Sequence, residues 1–483
     1  MKRNHYNINA AVTLFLCLIF TIILSFIMIV LESSRIHLVK AHTEGISHIA
    51  LESAAGYFSL PLFENYAIFA VHMSDSSFTS LIKRYVNDNL SPSANLTGNW
   101  YNFSKINSYT CNPDKIYHIT DENGKIFADQ IIRYMNYKAA SDAADIIFQS
   151  SFIDTFSKNY VDISDINIEE NMVDTSFPLS ELSEDTVNET MLTEEEAISK
   201  RNSIFNKVKR LLTKGTLDIY IDKTSDISAR QTDISSLPSS VCRYKKHSDF
   251  LSSADKLMYL TYLSDTFGCY TDKKSDISEL KYQLEYVLNR DCCDENNLLK
   301  SIFKIQSLRT KLNLAYLYTD SEKRQMAKTL AVAAVGVIPV PFLVEFTQLS
   351  ILSAWASAEA VIDIRDLLKG NKIPLFKSKQ SWSLSLDDIL TFDFNTKSKN
   401  QNTGFSYKQY LLLFLYTDFN VDTIYKTMDL IQMDIKKNHS SEFRMTECIT
   451  GMKYNFSFEY PFVFYHKYPY SVFQHKFTQS YGY

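Results

Sequence analysis

Hydrophobic and polar positions fall into blocks of different period along this chain, and the first block is the most decisive. Ala10 to Leu31 reads AAVTLFLCLIFTIILSFIMIVL, 22 residues without a charge. About 20 apolar residues at ~1.5 Å each cross the hydrocarbon core of a bilayer, so this stretch predicts a transmembrane helix. A cleavable signal peptide has a shorter apolar core and a small-x-small cleavage site. Here the run passes directly into Glu32-Ser33-Ser34-Arg35, which favours a retained anchor. Lys2 and Arg3 precede the span and favour a cytoplasmic N-terminus, which places everything after Leu31 outside the cytoplasm. Val39, Ile46, Ala50, Ser53 and Tyr57 then recur at helical spacing, with no proline before Pro61. The pattern predicts a stem continuing the anchor, one rod of roughly 75 Å from Ile8 to Ser59.

Past the stem the pattern is mixed as far as Tyr160, with turn signals at Asn112-Pro113 and Asn123-Gly124 and a helical segment near Gln130 to Phe156. Val161 to Ser199 holds twelve acidic residues and no Lys or Arg, the composition of a solvated loop or linker. The second half is mainly helical in period: Ile198 to Leu212, a helix opened by Ser253-Ala254-Asp255, then Glu279 to Leu288, Asn297 to Tyr318, Glu345 to Lys369 capped by Gly370, Tyr407 to Leu415 and Asp422 to Met433. A second apolar run, Thr329 to Val344, has 16 uncharged residues and is interrupted by Gly336, Pro339 and Pro341. It reads as a buried core helix, with a second membrane crossing as the alternative. Phe443 to Phe464 alternates apolar and polar residues and predicts a hairpin or small sheet edge.

The fold expected is therefore α+β, mainly α: a single N-terminal transmembrane helix, a long stem, an extracytoplasmic helical head and a small C-terminal β element. In residues this gives a cytoplasmic tip 1–9, transmembrane helix 10–31, stem 32–60, first part of the head 61–160, acidic linker 161–199 and main head 200–483. Composition narrows the function classes. Net charge is −5 with pI about 6.1, so no basic field points to nucleic acid. Only 11 glycines counts against cofactor-cradling loops. Cys17 lies in the anchor; Cys111, Cys242, Cys269, Cys292, Cys293 and Cys448 follow without C-x-x-C spacing, which disfavours zinc and leaves the pairing open.

Several constellations invite chemistry. His37, His42 and His48 on the stem point in different directions around a helix and do not converge on one ion. Asp162, Asp165 and Asn167 offer oxygen ligands to calcium, without the EF-hand order or its central glycine. Trp355, Glu359 and Asp363 share one helix face at i, i+4 and i+8, with Asp366 close by. Their carboxylates suit a divalent ion or an acid and base pair; the plainer reading is a solvated or interface face neutralised by Arg365 and Lys369. At the membrane exit, Glu32 and Arg35 are placed to set helix depth and to pair with neighbouring anchors, or simply to solvate the interface. The chain has no Gly-x-Ser-x-Gly, His-Glu-x-x-His or phosphate-binding loop. These residues lead us to expect no enzyme, no catalytic residue, no metal and no cofactor, with Trp355, Glu359 and Asp363 as a candidate interface.

VTLFLCLIF followed by LESSR, with Glu44, Ser53, Tyr57, Leu62, Tyr66 and Phe69, resembles the start of a family of Gram-positive membrane proteins, domain of unknown function 5702. TKGTLDIYIDKTSDIS, LEYVL with Asp294 to Leu298, and SLRTKLN are similar to its middle blocks. WASAEAVIDIRDLLKGNKIPLFKS is the most specific stretch, and GFSYKQYLLLFLYT with MDLIQMDI closes the pattern. The N-terminus resembles TadE/TadG-like pseudopilins of the tight-adherence (Tad, Flp-type) pilus apparatus. It departs from them at Asn7-Ile8-Asn9-Ala10, which lacks the glycine before a prepilin cleavage point, and in having no Glu near the fifth position of the helix. The resemblance implies a single-pass cell-membrane protein, a structural or accessory subunit of a pilus or related secretion apparatus, whose partners are membrane lipid and apparatus subunits. It names no small-molecule ligand. The alternative is an envelope-associated enzyme or a general envelope protein unrelated to pili.

Overall fold

The structure, a computed structural model, describes residues 5–90, 106–139, 217–221, 227–245, 250–274, 278–335, 341–386, 398–400, 402–463 and 472–483. It is mainly helical, with one long apolar N-terminal helix and a small sheet, which bears out the expected class. The acidic run 161–199, with Asp162, Asp165 and Asn167, and the helix expected over Ile198 to Leu212 lie outside the described residues. The chain divides into two compact units, residues 1–127 with 442–483, and residues 128–441.

The first unit is built on α1 (His5–Ala55), a helix of 51 residues. Every side chain from Val12 to Leu31 is exposed, including Phe15, Phe20, Ile23 and Phe26. Below that level the helix becomes one-sided, with Arg35, Val39, Ile46, Ala50 and Ala54 buried. The stem face predicted from Val39, Ile46 and Ala50 is thus the packed face, but the helix stops at Ala55, short of Ser59. Tyr57 stands exposed outside it, and Pro61 opens α2 (Leu60–Tyr66) rather than ending α1. The missing N–H of a proline costs nothing in a first helical turn.

After β1 (Val71–His72) and α3 (Asp75–Leu90), the strand β2 (Ser108–His118) runs antiparallel to β3 (Cys448–Pro461), whose other edge carries β1 and then β4 (Val472–Gly482). Phe443 to Phe464 therefore supplies the central strand, not a hairpin or an edge. Asn112-Pro113 is no turn either: it sits inside β2, an edge strand, where a proline leaves no ladder bond unmade, and a register shift follows it. Met452, Tyr454, Phe456, Phe458 and Tyr460 alternate inward and pack with Val39, Ile46 and Ala50 of α1 and Phe78, Ile82 and Val86 of α3. The opposite face is polar, with Lys453, Asn455, Ser457 and Glu459 of β3.

α4 (Asp121–Ala139) leads into the second unit; Glu122, Asn123 and Gly124 are left-handed at its start, the turn expected from Asn123-Gly124. Then come α5 (Pro238–Val241), α6 (Ser253–Thr266), α7 (Gln283–Asn289), α8 (Asp294–Thr319), α9 (Ser321–Val335), α10 (Pro341–Leu368), α11 (Tyr407–Thr417) and α12 (Val421–Asn438). Their ends follow local chemistry. Ser252 Oγ accepts from Asp255 N at the start of α6, Ser406 and Gln409 form a capping box on α11, and left-handed Gly370 closes α10. The short α7 is buried along most of its length. Thr329 to Val344 is not one buried core helix: α9 ends at Val335, α10 begins at Pro341, and Val332 is 50% exposed. Among the described residues only α1 is long and apolar enough to cross a membrane.

Candidate functional site

Trp355, Glu359 and Asp363 stand on α10 with one face toward α8 and the segment that follows α10. That face is interior. Glu359 and Asp363 are fully buried, and their partners are not Arg365 and Lys369 but Arg309 and Lys377, also at zero side-chain exposure. Arg365 instead donates to the carbonyl of Ile219.

The cluster is closed by geometry. Asp363 Oδ2 accepts from Arg309 Nη2 at 2.7 Å and Nε at 3.1 Å, while Oδ1 faces Lys377 Nζ at 2.7 Å. Lys377 Nζ also donates to Glu359 Oε1 at 2.8 Å and to the Ser381 carbonyl at 2.9 Å. The remaining Glu359 capacity takes the backbone N–H groups of Ser383 and Leu384, both at 2.9 Å. Arg309 Nη1 reaches the carbonyls of Pro374 and Leu375. Trp355 and Trp382 both donate to the Leu384 carbonyl and meet edge to face at 5.8 Å.

Two positive and two negative side chains thus cancel inside the unit and tie residues 373–384 to α8 and α10. Burial raises the Glu359 carboxyl above its ordinary range against the pull of Lys377. Burial also acts on Asp363, but Arg309 and Lys377 outweigh it and hold that carboxyl low. With every charged group in contact with another and none exposed, this arrangement positions backbone; it offers no solute a free carboxylate oxygen.

Glu285, Asp294, Asp429 and Asp434 are further buried carboxylates that the sequence reading did not single out, and burial shifts two of them strongly. Glu285 on α7 accepts at Oε1 from Tyr270 N at 2.9 Å and Tyr407 Oη at 3.0 Å, and burial pushes it up to about 7. Asp429 on α12 accepts from Ser239 N at 2.9 Å, Ser239 Oγ and Tyr286 Oη, and burial pushes it up to about 6. Arg290, left-handed at the end of α7, donates to Ser239 Oγ at 2.8 Å. The signal available was a pair of acids, Asp429 and Asp434, inside the apolar stretch Met428 to Ile435.

At the end of the apolar run, Glu32 and Arg35 pair with each other at 2.6 Å, and both are buried. Arg35 Nη2 also donates to the Pro461 carbonyl at 2.7 Å. The pair therefore holds the end of β3 against α1 within the chain. His37, His42 and His48 do not gather; His48 lies 3.4 Å from Glu52, and no group of three His, Cys, Asp or Glu side chains converges among the described residues. Cys17, Cys111, Cys269, Cys292, Cys293 and Cys448 are free thiols.

Residues 194–460 match the Family of unknown function (DUF5702), more than half of the chain. No curated protein and no solved structure matches it.

Proposed function

We propose that this chain, which belongs to the DUF5702 family, is a membrane-anchored, non-catalytic subunit whose outer units dock other components of a Tad (Flp-type) pilus or related secretion apparatus. The observation that carries the reading is α1. One helix offers lipid an apolar surface on every side from Val12 to Leu31, and from Glu32 onward it becomes the spine of a packed sheet unit. By length and composition such a helix is compatible with anchoring, and a signal sequence satisfies the same test. Its continuity into the core supports retention, because cleavage after the apolar run frees the Glu32 end that secures β3. The closed charge cluster of Arg309, Glu359, Asp363 and Lys377 supports a positioning role over turnover.

In this reading the N-terminus is cytoplasmic and both units lie outside. An impermeant thiol reagent then labels exposed Cys292 in intact cells stripped of their wall, and the chain resists carbonate extraction. Labelling only after lysis reverses the topology. Deleting the chain is expected to abolish surface pili or secretion. Intact pili and secretion, with no apparatus subunit in detergent-extracted complexes, refute the assembly role.

A further inference from the structure

Asn400 also touches the buried charge cluster, and its contacts are those of a reactant. Its Oδ1 lies 2.9 Å from Lys377 Nζ, which already meets Glu359 Oε1 at 2.8 Å, Asp363 Oδ1 at 2.7 Å and the Ser381 carbonyl at 2.9 Å. Four oxygens thus crowd a group that has three protons to give. Asn400 Nδ2 donates to Ser398 Oγ at 2.8 Å, Asp366 Oδ2 at 3.1 Å and Asp363 Oδ1 at 3.3 Å. An ammonium at one end and acceptors at the other fix which way this amide points.

Backbone contacts bring the two side chains together. Ile373 and Phe405 exchange both bridge hydrogen bonds, at 2.9 and 2.8 Å, and the Lys399 N–H donates to Ser383 Oγ at 3.1 Å. Lys377 and Asn400 lie between those two ties. A carbonyl carbon is ~1.2 Å from its oxygen, so Asn400 Cγ lies no more than about 4 Å from Nζ, a small side-chain rotation from attack.

We propose that Lys377 and Asn400 join in an isopeptide bond, a cross-link made once by the folded chain itself, with Glu359 and Asp363 moving the protons. The ammonium first passes a proton to Glu359 Oε1. The neutral amine then attacks Cγ, and the Nζ–Cγ bond forms. A second proton travels by way of Asp363 Oδ1, which touches both the attacking and the leaving nitrogen, to Nδ2. The Cγ–Nδ2 bond breaks, ammonia leaves, and the third proton stays on the new amide. One ammonium, one carboxylate and one primary amide thus give one secondary amide, one carboxylic acid and ammonia, with no oxidant or other reagent. Lys377, Glu359 and Asp363 have no side-chain exposure, so trading a charged pair for two neutral groups is favoured by burial. Burial already raises the Glu359 carboxyl, which suits it to keep the first proton. Asn400 is only partly buried, which gives ammonia a way out. The cross-link concerns the interior of one unit and holds whether or not the chain serves an apparatus.

The test is the mass of tryptic peptides from reduced, denatured full-length protein. The cross-linked chain is expected to give peptides 373–379 and 400–408 as one branched species, uncut after Lys377 and lighter than the separate pair by one ammonia. Separate peptides, with cleavage after Lys377, from folded parent protein overturn the proposal. A branched species at Lys377 that has lost water makes a carboxyl the acceptor and overturns it too. Asn400→Ala, a change at a partly buried side chain, is expected to yield linear peptides alone. Glu359→Gln cannot take the first proton; in protein that still melts cooperatively it is expected to lose most of the branched species, and undiminished cross-linking overturns the proton path.

Discussion

Glu285 gives the sharpest test of how this interior is held. Its Oε1 has two donors, Tyr270 N–H and the Tyr407 hydroxyl, whereas Oε2 is buried with no hydrogen-bond partner among the described residues. Burial dominates and lifts the carboxyl from 4.5 to about 7, with Asp294 adding to the rise and the two donors opposing it. The folded chain thus keeps a proton that the unfolded chain releases once pH passes the ordinary glutamate range. Because the unfolded state then binds fewer protons, stability falls as pH rises from about 4.5 to 7 and levels off above. A displacement of ~2.5 units at ~1.4 kcal/mol each amounts to about 3 kcal/mol. Glu285→Gln removes the titration. Its amide nitrogen at the Oε2 position costs ~1–3 kcal/mol at every pH, so the slope and not the offset is diagnostic. Trp355 and Trp382 are buried in the same unit, and their fluorescence follows its thermal unfolding in detergent-solubilised full-length protein. Between pH 5 and 8 the Tm of the variant is expected to gain roughly 5–10 °C on that of the parent. Parallel curves, or a variant that loses ground as pH rises, refute a protonated Glu285.

Arg309→Met leaves Asp363 buried with Lys377 as its remaining counter-charge; a loss of about 3–5 kcal/mol in denaturant unfolding is expected, and Arg309→Met with Asp363→Leu together should recover a large part of it. Gly404→Ala puts a Cβ within 2.6 Å of the Ile373 carbonyl carbon at a φ of +104°, which should cost well over the ~1 kcal/mol of Gly370→Ala, where φ is +88° and nothing lies within 4 Å; paired melting curves measure the difference. Arg35→Met removes the donor to the Pro461 carbonyl and leaves Glu32 without that ion pair, so amide exchange should accelerate at Phe458 to Tyr460 and stay unchanged at Ile449 to Met452.

Local pattern made much of this molecule legible in advance. Twenty-two uncharged residues specify an apolar helix wherever they lie, a 3.6-residue period specifies which side of the stem in α1 is covered, and Ser253-Ala254-Asp255 and Gly370 mark helix ends because they act on their own neighbours. Where the reading slipped, a local signal met a tertiary setting that overrode it. Pro113 reads as a turn in isolation and sits comfortably in an edge strand; Pro61 reads as a stop and serves as a start.

Trp355, Glu359 and Asp363 were identifiable as one face from their spacing alone, because helix geometry is local. What lies against that face was not. Arg309 comes from 54 residues before Asp363, and Lys377 arrives only because residues 373–384 fold back over α10. In the same way, the sequence displays the alternation of Cys448 to Pro461, but only the fold inserts that strand between β2 and β4 and groups 442–483 with 1–127. Sequence therefore determined most of the helices, the covered side of the stem and the apolar span. Tertiary structure decided which charges meet, which carboxyls keep a proton and which strand is central, since pairing and desolvation depend on distances in space that chain order does not encode.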